Sequence, residues 1–252
     1  MGGGQVSVTT VEITSAILGA DTPDGPMAVL HYRPAEGDWP TVAMFHDGPG
    51  IRGATHTFAA KLAGAGYEVV IPDLYHRHGR MIGYEPAERA ADPSITDRMM
   101  ALVRSLTDDG IQADMDAGLA AAGVTSGPLG TIGFCLGARA VAVALLGQPE
   151  RYAAGAMWHP SFLADDSPGS PHHRAGDLSR PLYIGIGGAD TMQPQSKQQP
   201  FLDAAVPTGL VELELYPGAD HGFTWPDHAS YHELAATESF ERTTAMFAKV
   251  LS

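Results

Sequence analysis

The residues best placed to do chemistry lie around the single cysteine. Gly133-Phe-Cys-Leu-Gly137 follows the apolar run Leu129–Phe134 and precedes an alanine-rich stretch over 138–146, giving the order strand, sharp turn, helix. That is the setting of a nucleophile elbow, with cysteine where serine is more usual. The glycines have a steric reason, because a nucleophile on a strained strand-to-helix turn leaves no room for side chains two residues before and after it. A sulfur at a helix N-terminus is also favoured as thiolate, since free N–H groups and the helix dipole stabilise negative charge. Most unpaired cysteines are small buried hydrophobes. The position of Cys135 at the end of a core strand argues for a nucleophile instead.

A nucleophile of this kind needs a base and a group to orient the base, in the chain order nucleophile, acid, histidine. An apolar run over 182–186 leads into Gly187-Gly-Ala-Asp190, and another over 211–216 leads into Pro217-Gly-Ala-Asp-His221-Gly-Phe. Asp190 alone could be a helix cap or turn residue, and His221 alone a surface histidine. Three such residues at three strand ends read together as a Cys135, Asp190, His221 triad.

These residues must be held by a sheet. Short apolar strands without alternation are expected at 41–45, 68–71, 130–134, 153–158, 182–186 and 211–216, the pattern of strands buried on both faces. Helices are expected near 56–65, 94–106, 108–122, 136–147, 195–205 and 230–250. Ahead of them, Val6, Val8, Val11 and Ile13 lie mostly two apart, and the turn cluster Asp21-Thr-Pro-Asp-Gly25 separates them from 28–32, which reads as an N-terminal β-hairpin. Strands alternating with helices imply an α/β fold with a mostly parallel, doubly wound sheet, helices on both faces and functional loops at the carboxyl ends of the strands. No linker or repeat divides the 252 residues, so one domain over 1–252 is expected. Segments 74–93 and 159–180 read as long surface loops that could border a site.

Composition narrows the partners. The formal charge of −14 repels phosphate backbones and anionic lipid, which argues against nucleic-acid or membrane-surface binding. No apolar run approaches the roughly 18 residues of a spanning helix. One cysteine forms no internal disulfide, and the N-terminal Met-Gly-Gly-Gly-Gln lacks a basic and apolar leader, so a reducing, cytoplasmic setting is expected.

In order along the chain stand Phe45-His-Asp-Gly-Pro-Gly50, Ile71-Pro-Asp-Leu-Tyr75, Gly133-Phe-Cys-Leu-Gly137, Gly187-Gly-Ala-Asp190 and Ala219-Asp-His-Gly-Phe223. With these motifs the chain resembles the dienelactone hydrolase family of α/β-hydrolases. The resemblance implies cleavage of a small ester or lactone through a thioacyl intermediate, without cofactor or metal, by a monomer or small homo-oligomer. It implies Cys135 as nucleophile, His221 as base and Asp190 as its orienting acid. The backbone N–H groups of Leu136 and Gly48 would form the oxyanion hole. Asp47 stands where family members usually carry a thiol-contacting Glu, one methylene longer. The family's dienelactone-cleaving members hold a substrate carboxylate with arginines, one just after the catalytic histidine, where this chain has Thr224-Trp225. Trp225 therefore suggests an apolar pocket and a preference for neutral esters, with Arg98 or Arg89 as the residues that could restore carboxylate binding. Tyr75, Trp158 and His159 are further candidates for substrate contact.

Other readings are open at this point. Gly48-Pro-Gly-Ile-Arg-Gly53 matches a dinucleotide fingerprint, with Asp73 twenty residues on, which would make an NAD(P)-dependent oxidoreductase. Pro49 removes one donor from that loop. His228 and His232 are four apart on an expected helix, a spacing that can bind metal, but the internal Glu of H-E-x-x-H is missing. His76, His78, His172 and His173 read as surface residues. A non-catalytic thiol sensor or ligand-binding protein on the same fold is the third alternative.

Overall fold

The computed structural model describes residues 11–251. They form an eight-stranded sheet of β1 (Ile13–Thr22), β2 (Gly25–Pro34), β3 (Thr41–Phe45), β4 (Glu68–Pro72), β5 (Leu129–Phe134), β6 (Tyr152–Trp158), β7 (Leu182–Gly187) and β8 (Val211–Tyr216). The spatial order is β1-β2-β4-β3-β5-β6-β7-β8. From β4 onward across the sheet every pairing is parallel, while β2 runs antiparallel to both β1 and β4.

Helices cover both faces. The first face carries α4 (Asp108–Ala121), α5 (Leu136–Gly147) and α6 (Gln195–Ala205), whose Met115, Leu119, Val141, Leu145 and Phe201 join one apolar core. The opposite face carries α1 (Gly53–Gly64) and α7 (Glu233–Val250), whose Phe58, Leu62 and Phe247 join the other. Every residue of β3, β5 and β7 is buried, as strands covered on both sides require. Two short helices, α2 (Pro86–Ala91) and α3 (Ser94–Ser105), lie between β4 and α4.

The register aligns the strand ends. Phe45 pairs with Gly133, Phe134 with Trp158, and Gly187 with Tyr216, so the loops after β3, β5, β6, β7 and β8 leave the sheet along one edge. This is where a doubly wound sheet builds its sites.

The hairpin forms, but its first strand lies later than the valine spacing suggests. β1 begins at Ile13 and closes through the Pro23-Asp24 turn, where Thr22 Oγ1 donates to the Gly25 carbonyl at 2.8 Å. β1 is an exposed edge strand whose residues are ordered by pairing with β2 rather than by burial, so its apolar pattern is weak. Val6 and Val8 lie outside the described residues. Within the expected 74–93 loop, α2 has no buried residue and rests on local chemistry: Pro86 at its first position and Glu85 N–H donating to Glu88 Oε2 at 3.0 Å.

Candidate active site

Cys135 caps α5 with φ 54° and ψ −115°, a conformation that non-glycine residues rarely adopt. The flanking glycines make it possible. A Cβ on Gly133 would lie 2.1 Å from the Gly137 carbonyl oxygen, and one on Gly137 would lie 2.5 Å from the Phe45 carbonyl oxygen. Among the described residues, the non-glycine positions of positive φ are Met81, Cys135, His159 and Phe162. The last three line one cavity of about 200 Å³, so backbone strain is gathered at this site.

The loops after β7 and β8 bring the other two residues to that cavity. His221 Nδ1 donates to Asp190 Oδ2 at 2.7 Å, while Asp190 Oδ1 accepts from the Gln193 N–H at 2.7 Å. The carboxylate thus fixes the ring, and His221 Nε2 is left buried with no hydrogen-bond partner. Cys135 Sγ lies 3.2 Å from Ser161 Oγ. Burial works against a thiolate here, but the facing His221 imidazolium outweighs it and holds the thiol below its ordinary pKa. Burial likewise works against the imidazolium, and the thiolate together with Asp190 raises His221 above its ordinary value. Each group thus favours the charged form of the other.

Leu136 and Gly48, the two expected backbone donors, both line the cavity. Leu136 is the first residue of α5, so its N–H has no partner inside the helix. The Asp47–Gly48 peptide is fixed from its carbonyl side, where the oxygen accepts from Gly50 N–H at 3.0 Å and from His46 Nδ1 at 2.7 Å. Burial lowers the His46 pKa to about 4, which keeps it a neutral donor. A trans peptide pinned in this way turns its N–H the opposite way. Gly48 lines the cavity, and Tyr75 Oη donates to its carbonyl at 2.8 Å.

The cavity also holds cations. Arg52 is 4% exposed and donates through Nη2 to Asp47 Oδ2 at 3.1 Å, yet its Nε and Nη1 are buried without partners. Its guanidinium lies 4.8 Å over the Trp225 ring. Arg89, carried by α2, lines the cavity with its Nε also buried and unpartnered. Burial raises the Asp47 pKa and Arg52 opposes the rise.

The model of the dienelactone hydrolase family matches residues 27–251. The chain belongs to the dienelactone hydrolase family. Over 246 residues it is 28% identical to a Salmonella typhimurium protein provisionally named carboxymethylenebutenolidase, covering 94% of this chain and 88% of that protein. It is similar to the carboxymethylenebutenolidase of Rhodococcus opacus, at 28% identity over 90% of this chain and 88% of the relative. A Klebsiella pneumoniae crystal structure provisionally named dienelactone hydrolase superposes with a TM-score of 0.80 at 27% identity, covering 94% of this chain and 99% of that one. Membership makes the chain a hydrolase with an α/β-hydrolase fold.

Within this dienelactone hydrolase family member, the sequence-expected residues divide in two. Cys135, Leu136, His159, His221, Asp47, Gly48, Arg89 and Trp225 line the cavity, and Asp190 stands behind His221. Three others do not reach it. Arg98 has a side chain 57% exposed and bonds Asp92 at 2.8 Å, because it sits on the outer side of α3. Trp158 is buried in the core with its indole N–H on Thr243 Oγ1 at 3.1 Å. Tyr75 is buried below the oxyanion loop, and its hydroxyl serves that loop. Asp47 bonds Arg52 rather than the thiol, since the shorter side chain meets the guanidinium folded back from α1; Ser161 takes the thiol contact instead. Sequence reasoning missed Arg52, His46 and Ser161.

The glycine-rich loop has an internal use. A Cβ on Gly50 would lie 2.2 Å from the Ile82 carbonyl oxygen. Gly50, Ile51 and Gly53 N–H groups donate to Asp47, Ile82 and the Glu85 carboxylate, leaving no phosphate cradle. Asp73 is buried and accepts from the Tyr75 and Met81 N–H groups rather than facing a ribose. The segment before Glu233 is not helical, and His232 caps α7, accepting from Ala235 N–H at 3.3 Å, so His228 and His232 do not share a helix face. His76 is buried against Asp114 at 3.2 Å rather than on the surface. Among the described residues no three His, Cys, Asp or Glu side chains converge on a metal position, and no helix is long and apolar enough to cross a membrane.

Proposed function

We propose that the chain hydrolyses small carboxylic esters or lactones through a thioacyl intermediate on Cys135. One observation carries the reading: a carboxylate-fixed His221, its Nε2 unpartnered, facing Cys135 at the N-terminus of α5 in one cavity. The thiolate attacks the carbonyl carbon, and the carbonyl π electrons move to the oxygen held by Leu136 and Gly48 N–H. As the C–O bond reforms its double bond, the alkoxide leaves and takes the proton of His221 Nε2. His221 then accepts a proton from water as the water oxygen attacks the thioester, and the C–S bond breaks to return the thiolate. No cofactor enters this scheme, and every residue it needs comes from one sheet edge, so we treat the chain as one catalytic domain. The thiol must stay reduced, which suits a cytoplasmic setting.

Arg52 and Arg89 refine the substrate. Their unpartnered buried N–H groups favour an ester or lactone that carries a carboxylate. The neutral preference drawn from Trp225 is therefore set aside: the indole lies against Arg52 and helps deliver its charge. The reading is tested with a short p-nitrophenyl ester, on which Cys135→Ala should lose turnover; a variant with wild-type rates would overturn it.

A further inference from the structure

Ser161 has no part in the mechanism above, yet it holds Cys135 at two points. It lies in the turn after β6, between His159 at φ 40° and Phe162 at φ 60°. Its N–H donates to the Cys135 carbonyl at 3.0 Å, and its Oγ is 3.2 Å from Sγ. Ser161 is 1% exposed, and Sγ is the only hydrogen-bond partner of its hydroxyl among the described residues.

The hydrogens can be counted. Were a neutral thiol to donate to Ser161 Oγ, the serine's own hydrogen would face no acceptor, and His221 Nε2 would also stay unmatched. If Ser161 donates to sulfur, its hydrogen is used, and the thiol proton is left to pass to His221 Nε2, which has no other partner. Every arrangement that satisfies the site has the serine as donor.

We propose that Ser161 is a positioning residue that donates its hydroxyl hydrogen to the Cys135 sulfur, aiming it at the cavity and stabilising its anionic form. This rests on the nucleophile reading above. The titratable and charged groups around the sulfur's cavity are His221 and His228 from the loop after β8, Asp47 and Arg52 after β3, Tyr75 after β4, Arg89 on α2 and His159 after β6. His221 favours the anion and Asp47 opposes it. Burial keeps Tyr75 and His159 uncharged. Ser161 is the neutral donor of the group, so removing it alters the sulfur without changing the site's charge. The donor works twice in a turnover. It steadies the attacking thiolate, is released while the sulfur is a thioester, and meets the thiolate again as the C–S bond breaks and sulfur keeps the electron pair.

The test is the rate of iodoacetamide alkylation of Cys135 against pH, in wild type, Ser161→Ala and Ser161→Thr. In Ser161→Ala the midpoint should rise by about one pH unit, with alkylation roughly tenfold slower below the midpoint and an unchanged high-pH plateau, as expected for loss of a charge-assisted hydrogen bond. The acid limb of kcat/KM on a p-nitrophenyl ester should move with it. Ser161→Thr, which keeps the hydroxyl, should restore both. An unchanged midpoint, or one that falls because the hydroxyl had accepted the S–H, overturns the proposal. Alkylation reads the thiol without turnover, so an active Cys135→Ala would sink the nucleophile reading separately from the serine's donation.

Discussion

Replacing Arg52 with glutamine tests the cationic side of the cavity. In the native site the guanidinium spends Nη2 on Asp47 Oδ2 at 3.1 Å and keeps Nε and Nη1 free. A substrate carboxylate in reach of those groups gains charge-assisted hydrogen bonds, worth about 1.5–3 kcal/mol when one partner is charged. Glutamine keeps some length and polarity but loses the charge and the fork. That corresponds to a loss of about 10- to 150-fold in kcat/KM for a carboxylate-bearing lactone. The variant also leaves Asp47 without its counter-ion. Burial already raises that pKa and loss of the guanidinium raises it further, so Asp47 binds a proton more readily in the variant, and circular dichroism checks that the fold is kept. The assay compares the lactone acid with its methyl ester on wild type, Arg52→Gln, Arg89→Gln and Arg98→Ala. The methyl ester should change by less than about threefold in every variant, and Arg98→Ala should be silent on both substrates because its ion pair is exposed. Equal losses on acid and ester in Arg52→Gln would show that the arginine supports Asp47 or the loop and does not read the substrate's charge.

Two more outcomes follow from the site. The lowered thiol is anionic above its shifted pKa and loses charge as pH falls through it, whereas the raised imidazole is cationic below its shifted pKa and loses charge as pH rises through it. The kcat/KM profile should therefore form a plateau that extends on the acid side below the ordinary thiol range; a rise that begins only near an ordinary thiol pKa would contradict the ion pair. Gly137→Ala should lower the melting temperature by several degrees, since the new Cβ would press 2.5 Å from the Phe45 carbonyl oxygen and push α5 off β3; thermal denaturation by circular dichroism checks this, and an unchanged melting temperature would refute it.

What the sequence made legible was the buried half of the molecule. β3, β5 and β7 announce themselves as short apolar runs between glycine and aspartate loops. By contrast β8, expected to be buried on both faces, is an edge strand whose alternating Val211-Glu-Leu-Glu-Leu-Tyr216 buries only Tyr216. The ends of β5, β7 and β8 carry Cys135, Asp190 and His221. β1 escaped because pairing rather than burial orders it. Arg52 was hidden inside a glycine pattern that also fits nucleotide binding; only its side chain folding back five residues to Asp47 shows its use. Ser161 gave no local signal, because its partner is 26 residues away and its aim depends on two left-handed neighbours. Tyr75 and Trp158 stand at strand ends like true site residues, but their rings turn into the core, a choice set by packing against neighbours distant in sequence.

The most direct test of the mechanism is the intact mass of the protein quenched during turnover of a slowly deacylating p-nitrophenyl ester, followed by peptide mapping. The mechanism predicts a mass increase of one acyl group, located on Cys135, that appears with the first burst of p-nitrophenol and is absent in Cys135→Ala. Steady turnover with no adduct on Cys135, or an adduct on another residue, would contradict it.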